Sequence, residues 1–198
     1  MRATRPYRKI ESHRLSPATT IQSYHEVRPA VLSHDAPATE VMTDLKHVRL
    51  ITIEADAGIN DALHLMMHAG VRMLVVTDRE GIAGIITSRD INGEKPVDFI
   101  SRHRVTRDQV KVSDIMTPRS ELDVLMLSDV AKARVGDIIL TLREAGRQHA
   151  IVVEKAGAGE LMLRGIFSAT QIGRQLGISL EPTGQVQSFA ELEAVLAR

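Results

Sequence analysis

Cysteine and tryptophan are absent from this 198-residue chain, and aromatic residues make up only 3% of it. Without thiols, disulfide frameworks, zinc ribbons and cysteine nucleophiles are all excluded, which fits a reducing cytosol. The core must be aliphatic, built from the 43% of residues that are hydrophobic. No excess of either charge sign exists: 25 basic and 25 acidic residues cancel. That balance argues against a uniformly basic nucleic-acid binder. No apolar run approaches the roughly 20 residues of a transmembrane helix. The opening MRATRPYRKIESHR is basic but has no apolar segment behind it, so it is not a secretory signal. A cytoplasmic protein without membrane contact is expected.

Enzyme signatures are missing as well. The sequence has no P-loop, no GxSxG and no HExxH. GIAG and GAGE read as hairpin turns, because the strand–glycine loop–helix context of a dinucleotide site is lacking. No catalytic residue, catalytic cofactor or enzymatic activity is expected. His64 and His68 stand four apart with Asp61 on the same helix face, a spacing that can bind a transition metal. With no further ligand specified they read as a solvated helix face, and no metal is expected. Arg102, His103, Arg104 and Arg107 form a basic cluster that reads as solvated surface, with RNA contact as the functional alternative.

What the chain does contain is a repeat. Residues 1–37 are an aperiodic arm interrupted by Pro6, Pro17, Pro29 and Pro37. EVMTDL (40–45) then returns as DIMTPR (114–119). VRLITI (48–53) and LDVLML (122–127) read as strands. EADAGINDALHLMMHAG reads as an amphipathic helix, starting near Asp56 or Gly58 and capped by Gly70. VGDIILTLREAG (135–146) is its counterpart. RMLVVTD and IAGIITS make a hairpin about Arg79–Gly81, matched by HAIVVEK (149–155) and LMLRGIFS (161–168). Arg89–Ile91 opens a helix or turn after the first hairpin, and ATQIGRQLG is a helix after the second. The expected organisation is an arm (1–37), a first repeat (38–92), a connector with a short helix (93–112), a second repeat (113–177) and a terminal helix (178–198). In the last, Ser188 and Glu191 form a capping box. The fold class is α+β: two β-α-β-β-α repeats packed sheet to sheet with pseudo-two-fold symmetry, each covering the face the other leaves bare.

The paired VMT and IMT openings, the runs AGVRMLVV and AGRQHAIVV, and the endings GIITSRDI and GIFSATQI recur in order. In these features residues 38–177 resemble a pair of CBS (cystathionine beta-synthase) domains, of the stand-alone bacterial type. The resemblance implies an adenosine-containing nucleotide (AMP, ADP, ATP, NAD or S-adenosylmethionine) bound as a regulatory ligand between the repeats. It also implies a homodimer and a separate effector protein. The family's ligand motif is a hydroxyl residue followed three positions later by aspartate, here Thr87 and Asp90. A carboxylate can accept hydrogen bonds from both hydroxyls of a ribose, and a hydroxyl beside a helix start can hold phosphate. The competing reading makes Asp90 a helix cap and Thr87 a strand-end hydroxyl.

By the same resemblance, the base lies against Gln148, His149, Ala150 and Ile151, with Ile85, Ile151 and Met126 as apolar walls. The family often has proline where Ile151 stands. The sister cleft is expected to be weaker, because Gln171 replaces the aspartate three residues after Ser168. Val71, Arg72, Met73 and Leu74 would face it, with Ile51 and Thr52 nearby and Arg72 able to meet a phosphate. The alternative functions are a structural or interaction protein with empty clefts, or an RNA binder using the basic arm and connector.

Overall fold

A computed structural model describes residues 32–157 and 160–177. All of these lie in one unit, Val31–Arg198. The arm before Leu32 and the terminal segment carrying Ser188 and Glu191 lie outside the described residues. The first repeat contributes β1 (Thr43–Asp44), β2 (Thr52–Glu54), α1 (Ile59–Ala69), β3 (Met73–Asp78), β4 (Gly81–Thr87) and α2 (Ser88–Asn92). The connector contributes α3 (Glu94–His103), and α4 (Val112–Ile115) opens the second repeat at its junction with the connector. The second repeat contributes β5 (Thr117–Pro118), β6 (Val124–Met126), α5 (Leu127–Val130), α6 (Val135–Glu144), β7 (His149–Lys155), β8 (Leu161–Ser168) and α7 (Ala169–Gln175).

The elements make an α+β fold with two four-stranded sheets, β2-β3-β4-β5 and β1-β8-β7-β6. In each, a parallel pair (β2 with β3, β6 with β7) continues into an antiparallel hairpin. Met73 faces Thr87 as His149 faces Ser168, so the registers match and the sheets obey one pseudo-two-fold. Side chains alternate along a strand. Leu74 and Val76 therefore enter the first core with Ile59, Ala62, Met66 and Ile86, and Val152 enters the second with Ile138, Leu142 and Phe167. Met73, Val75, Ile151 and Val153 are buried too, yet belong to neither core. They face the seam between the sheets.

The short openings do not stay with their own repeats. β1 pairs with β8 of the second sheet, and β5 pairs with β4 of the first. The cores are shared likewise: Ala38 and Val41 are buried in the second core, Val112 and Ile115 in the first. Two glycines admit these incoming strands. A Cβ at Gly84 would stand 2.2 Å from the Thr117 carbonyl oxygen, and one at Gly165 would stand 2.5 Å from the Met42 sulfur. Arg164 fixes β1 from the side through a two-pronged ion pair with Asp44, one arm at 2.9 Å.

That exchange explains where the observed elements differ from the expected ones. Of VRLITI only Thr52 and Ile53 join the strand, and Val48 is half exposed. Residues 45–51 carry the chain from one sheet to the other. They turn on Asp44, whose carbonyl accepts from the His47 and Val48 N–H groups and whose carboxylate accepts from the Lys46 N–H at 2.7 Å. In the second repeat β6 is short because Leu127 already opens α5. α1 ends as its sequence indicated: Gly70 takes φ 66°, a left-handed cap. The end of the arm is fastened to the second repeat, where the His34 and Ala36 carbonyls accept from the Gly136 and Val135 N–H groups.

Candidate ligand clefts between the repeats

Thr87 is the last residue of β4 and Asp90 stands in the first turn of α2. Strand and helix meet at a capping box. The Asp90 N–H donates to the Thr87 hydroxyl oxygen at 3.2 Å, while the Thr87 N–H and hydroxyl donate to Asp90 Oδ2 at 2.9 and 2.6 Å. The capping role is therefore real. The other carboxylate oxygen, Oδ1, accepts from Lys95 Nζ at 2.6 Å. Lys95 also donates to the Ile115 carbonyl at 3.0 Å. The Asp90 side chain is 13% exposed and that of Lys95 47%.

This corner forms one wall of a cavity of about 350 Å³, within the usual size range of small-molecule sites. Ile85, Thr87 and Asp90 line it from the first repeat, and Gln148, His149 and Ile151 from the second. Two expected members are elsewhere. Ala150 packs against the second core, because it points opposite to His149 and Ile151 along β7. Met126 ends β6 opposite Val153 and does not line the cavity.

Sequence reasoning missed Lys95, Arg89, Thr117, Leu122, Asp123, Gly146 and Arg147, which complete the lining. For Thr117 a signal existed. The repeated openings each carry a threonine, and strand exchange delivers each one to the cleft beside the other repeat's hydroxyl motif. Lys95 carries no such signal, since Gly93 separates its helix from α2 and only tertiary packing returns it to Asp90. Arg147 is held by Asp123 at 3.0 Å and by the Glu121 carbonyl at 3.3 Å.

The sister cavity, about 260 Å³, is lined by Thr43, Val71, Arg72, Met73, Ser168 and Gln171, with Thr170 and Arg174 among the others. Ile51, Thr52 and Leu74 do not line it. Leu74 is fully buried in the first core, Ile51 packs on that core, and Thr52 pairs with Val75 in the sheet. The Thr43 hydroxyl donates to Gln171 Oε1 at 3.1 Å, so the amide is tied where the first cleft has its carboxylate. No carboxylate lines this cavity, but two arginines do.

His149 lines both cavities. Burial, helped by the nearby positive charge of Arg72 and opposed by Asp90, holds its pKa down at about 4. At neutral pH the imidazole is uncharged, so it serves each cavity as a neutral polar wall. The other sequence candidates stand apart from the seam. His64 and His68 are exposed on α1. In the basic cluster, Arg102 donates to the Asp98 carbonyl and Arg107 to Asn60 and the Ile91 carbonyl, so both are spent on their own fold. No helix among the described residues is long and apolar enough to cross a membrane.

Residues 26–97 match the family model described as CBS domain. A homoserine O-acetyltransferase of Methanosalsum zhilinae is 32% identical over 81 residues, which cover 40% of this chain and 15% of that protein. The chain thus spans about 15% of the curated relative it matches. Among solved structures, an uncharacterized conserved protein from Pyrococcus horikoshii is 22% identical, with 77% of this chain and 100% of that chain covered and a TM-score of 0.52. CBSX2, solved in complex with AMP, is also 22% identical, covering 70% of this chain and 94% of that chain with a TM-score of 0.47.

Proposed function

We propose that this chain, whose residues 26–97 match the CBS domain model and are followed by a second repeat of the same topology, is a regulatory module binding an adenosine-containing nucleotide beside Asp90. The reading rests above all on one observation: Asp90 and the segment Gly146–His149 form opposite walls of a single cavity. A ligand filling it touches both repeats. It therefore favours one relative arrangement of them, and that difference in affinity is the signal such a module can transmit.

The roles follow from chemistry. Asp90 accepts from a ribose hydroxyl. Ile85 and Ile151 sandwich the base, and the backbone around Gln148 and His149 presents polar atoms to its edge. Arg89 and Lys95 supply positive charge for phosphate. The start of α2 has little to offer a phosphate, because the Ser88 and Asp90 N–H groups there already donate to the Arg72 carbonyl and the Thr87 hydroxyl. The sister cavity is the weaker site for a nucleoside, since Gln171 has no charge with which to hold a ribose and is engaged by Thr43. The module performs no chemistry on its ligand, works in the cytoplasm as a homodimer, and passes its signal to a separate effector protein.

A second reading, an interaction protein with empty clefts, draws on the fact that Thr87 and Lys95 already occupy most of Asp90. A melting-temperature series with AMP, ADP, ATP, NAD and S-adenosylmethionine separates the two. A ligand present at a hundred times its Kd stabilises the folded state by about 2.7 kcal/mol. No rise with any of the five at millimolar concentration would favour the interaction reading.

A further inference from the structure

We infer that Lys95 makes the Asp90 cavity selective for phosphorylated nucleosides: its ammonium group, now held between Asp90 and the Ile115 carbonyl, moves onto a ligand phosphate as a ribose takes its place on the carboxylate. This rests on the nucleotide reading given above.

The starting point is the acceptor capacity of Asp90. An ionised carboxylate has about four lone-pair sites. Oδ2 uses two of them for the Thr87 N–H and hydroxyl, and Oδ1 uses one for Lys95. One site is left, while a ribose diol brings two donors. A diol can engage Asp90 fully only if either the cap or the lysine yields. The cap is short, local and part-buried. Lys95 sits on a long flexible stem and is nearly half exposed. An ion pair with so exposed a partner is weakly held. The lysine is therefore the group that gives way.

Its displacement has a consequence that depends on the ligand. Once off Asp90, the ammonium lacks a charged acceptor inside the cavity. Asp123, the other carboxylate in the lining, is engaged by Arg147. A neutral nucleoside replaces that charge with nothing comparable. A phosphate replaces it with a charge-assisted hydrogen bond. Arg89, which has no ion-pair partner among the described residues, lines the same cavity and adds to the attraction. Three cations (Arg89, Lys95, Arg147) against two carboxylates (Asp90, Asp123) leave the lining one positive charge in excess. That excess favours an anionic ligand over the cationic sulfonium of S-adenosylmethionine. Arg89, Asp90 and Lys95 also line a neighbouring hollow of about 510 Å³ together with Glu94, so the lysine has room to swing, and a ligand phosphate there competes with the Glu94 carboxylate for it.

The test is calorimetric titration of the full chain with AMP and with adenosine, for wild type, Lys95→Met and Lys95→Arg. Methionine keeps an unbranched stem without charge, whereas arginine keeps the charge. Wild type is expected to bind AMP at least about tenfold more tightly than adenosine, the scale of one charged hydrogen bond. In Lys95→Met the two ligands move in opposite directions: AMP weakens by about tenfold and adenosine binds more tightly, because Asp90 has been freed. Lys95→Arg retains a preference for AMP. A general loss of folding cannot produce opposite shifts, so the signature survives partial destabilisation. If wild type binds AMP and the AMP-to-adenosine ratio is unchanged in Lys95→Met, the selectivity role is overturned while the nucleotide reading stands. If wild type binds neither these two nor ADP, ATP, NAD or S-adenosylmethionine, the nucleotide reading itself fails and the role of Lys95 with it; binding of S-adenosylmethionine alone overturns the role of Lys95 and leaves the reading standing.

Discussion

Asp90 caps α2 and, in the function proposed, also meets the ligand, and this shapes how it must be probed. Alanine at 90 would remove the cap along with the ligand contact, at a cost of about 1 kcal/mol in stability. Asparagine keeps an acceptor for the Thr87 N–H and loses the charge. Asp90→Asn is expected to stay within about 1 kcal/mol of wild type in urea unfolding, yet to bind AMP at least about tenfold more weakly. Equal AMP affinity in the two proteins would remove Asp90 from the site. His149 gives a second residue-level expectation. Its folded pKa of about 4 lies below the ordinary 6.5, so between those values the unfolded chain binds the proton more readily. The contribution to stability is then complete above about pH 6.5 and is lost as pH falls toward about 4. From about pH 7 to about pH 5 this loss amounts to as much as about 2 kcal/mol. His149→Gln should flatten that part of the stability profile, measured by denaturant midpoints at each pH. Parallel profiles for the two proteins would rule out His149 as the source. The motif around Asp90 was legible in the sequence because it is local, spanning Thr87 to Asp90. Lys95 was not, because its approach to Asp90 depends on how α3 packs.

At the scale of the elements, the exchanged strands are the feature with the sharpest consequences. The Cβ of Gly84→Ala meets the backbone of β5, which cannot retreat without leaving the sheet. That of Gly165→Ala meets the far end of the Met42 side chain, which can rotate away. We expect Gly84→Ala to destabilise by about 2 kcal/mol or more and Gly165→Ala by clearly less, as read from urea midpoints. Equal effects would mean that β5 is as yielding as a methionine side chain. Asp44 illustrates the same junction electrostatically. The hydrogen bond from Arg164 is the main cause holding its pKa near 2, with the Lys46 N–H adding to it. A depressed carboxyl stabilises above its unfolded value of 3.8 and loses that contribution as pH falls through about 2. The β1–β8 junction should therefore survive mild acid that already titrates His149. The hairpins and the long helices were readable because their periodicity and turn residues are local. β1, β5, α4 and α5 were not, since two to four residues carry too little pattern to declare a partner.

For the whole molecule, exchange means that neither half owns its core. Val41 is buried among residues of the second repeat, and Val112 among those of the first. Damage to either should be felt throughout. Val41→Ala and Val112→Ala are each expected to remove roughly 2 kcal/mol and to lower one shared melting transition by several degrees in calorimetry. Two separated transitions in either variant would show that the repeats unfold independently. The same coupling suits the regulatory role proposed, because a ligand seated in the seam would act on both cores at once.

The sequence by itself determined the duplication, the α+β class, the helix and hairpin positions, and the Thr87–Asp90 motif. Each of these is written in short-range spacing or in the recurrence of one stretch farther along the chain. The tertiary structure alone decided which strand completes which sheet, that Thr43 and Thr117 line the clefts, and that Ala150 and Leu74 turn away from them. It also decided that Lys95 already sits on Asp90. These are contacts between residues whose separation along the chain carries no pattern, and only the packing of two twisted sheets against each other brings them together.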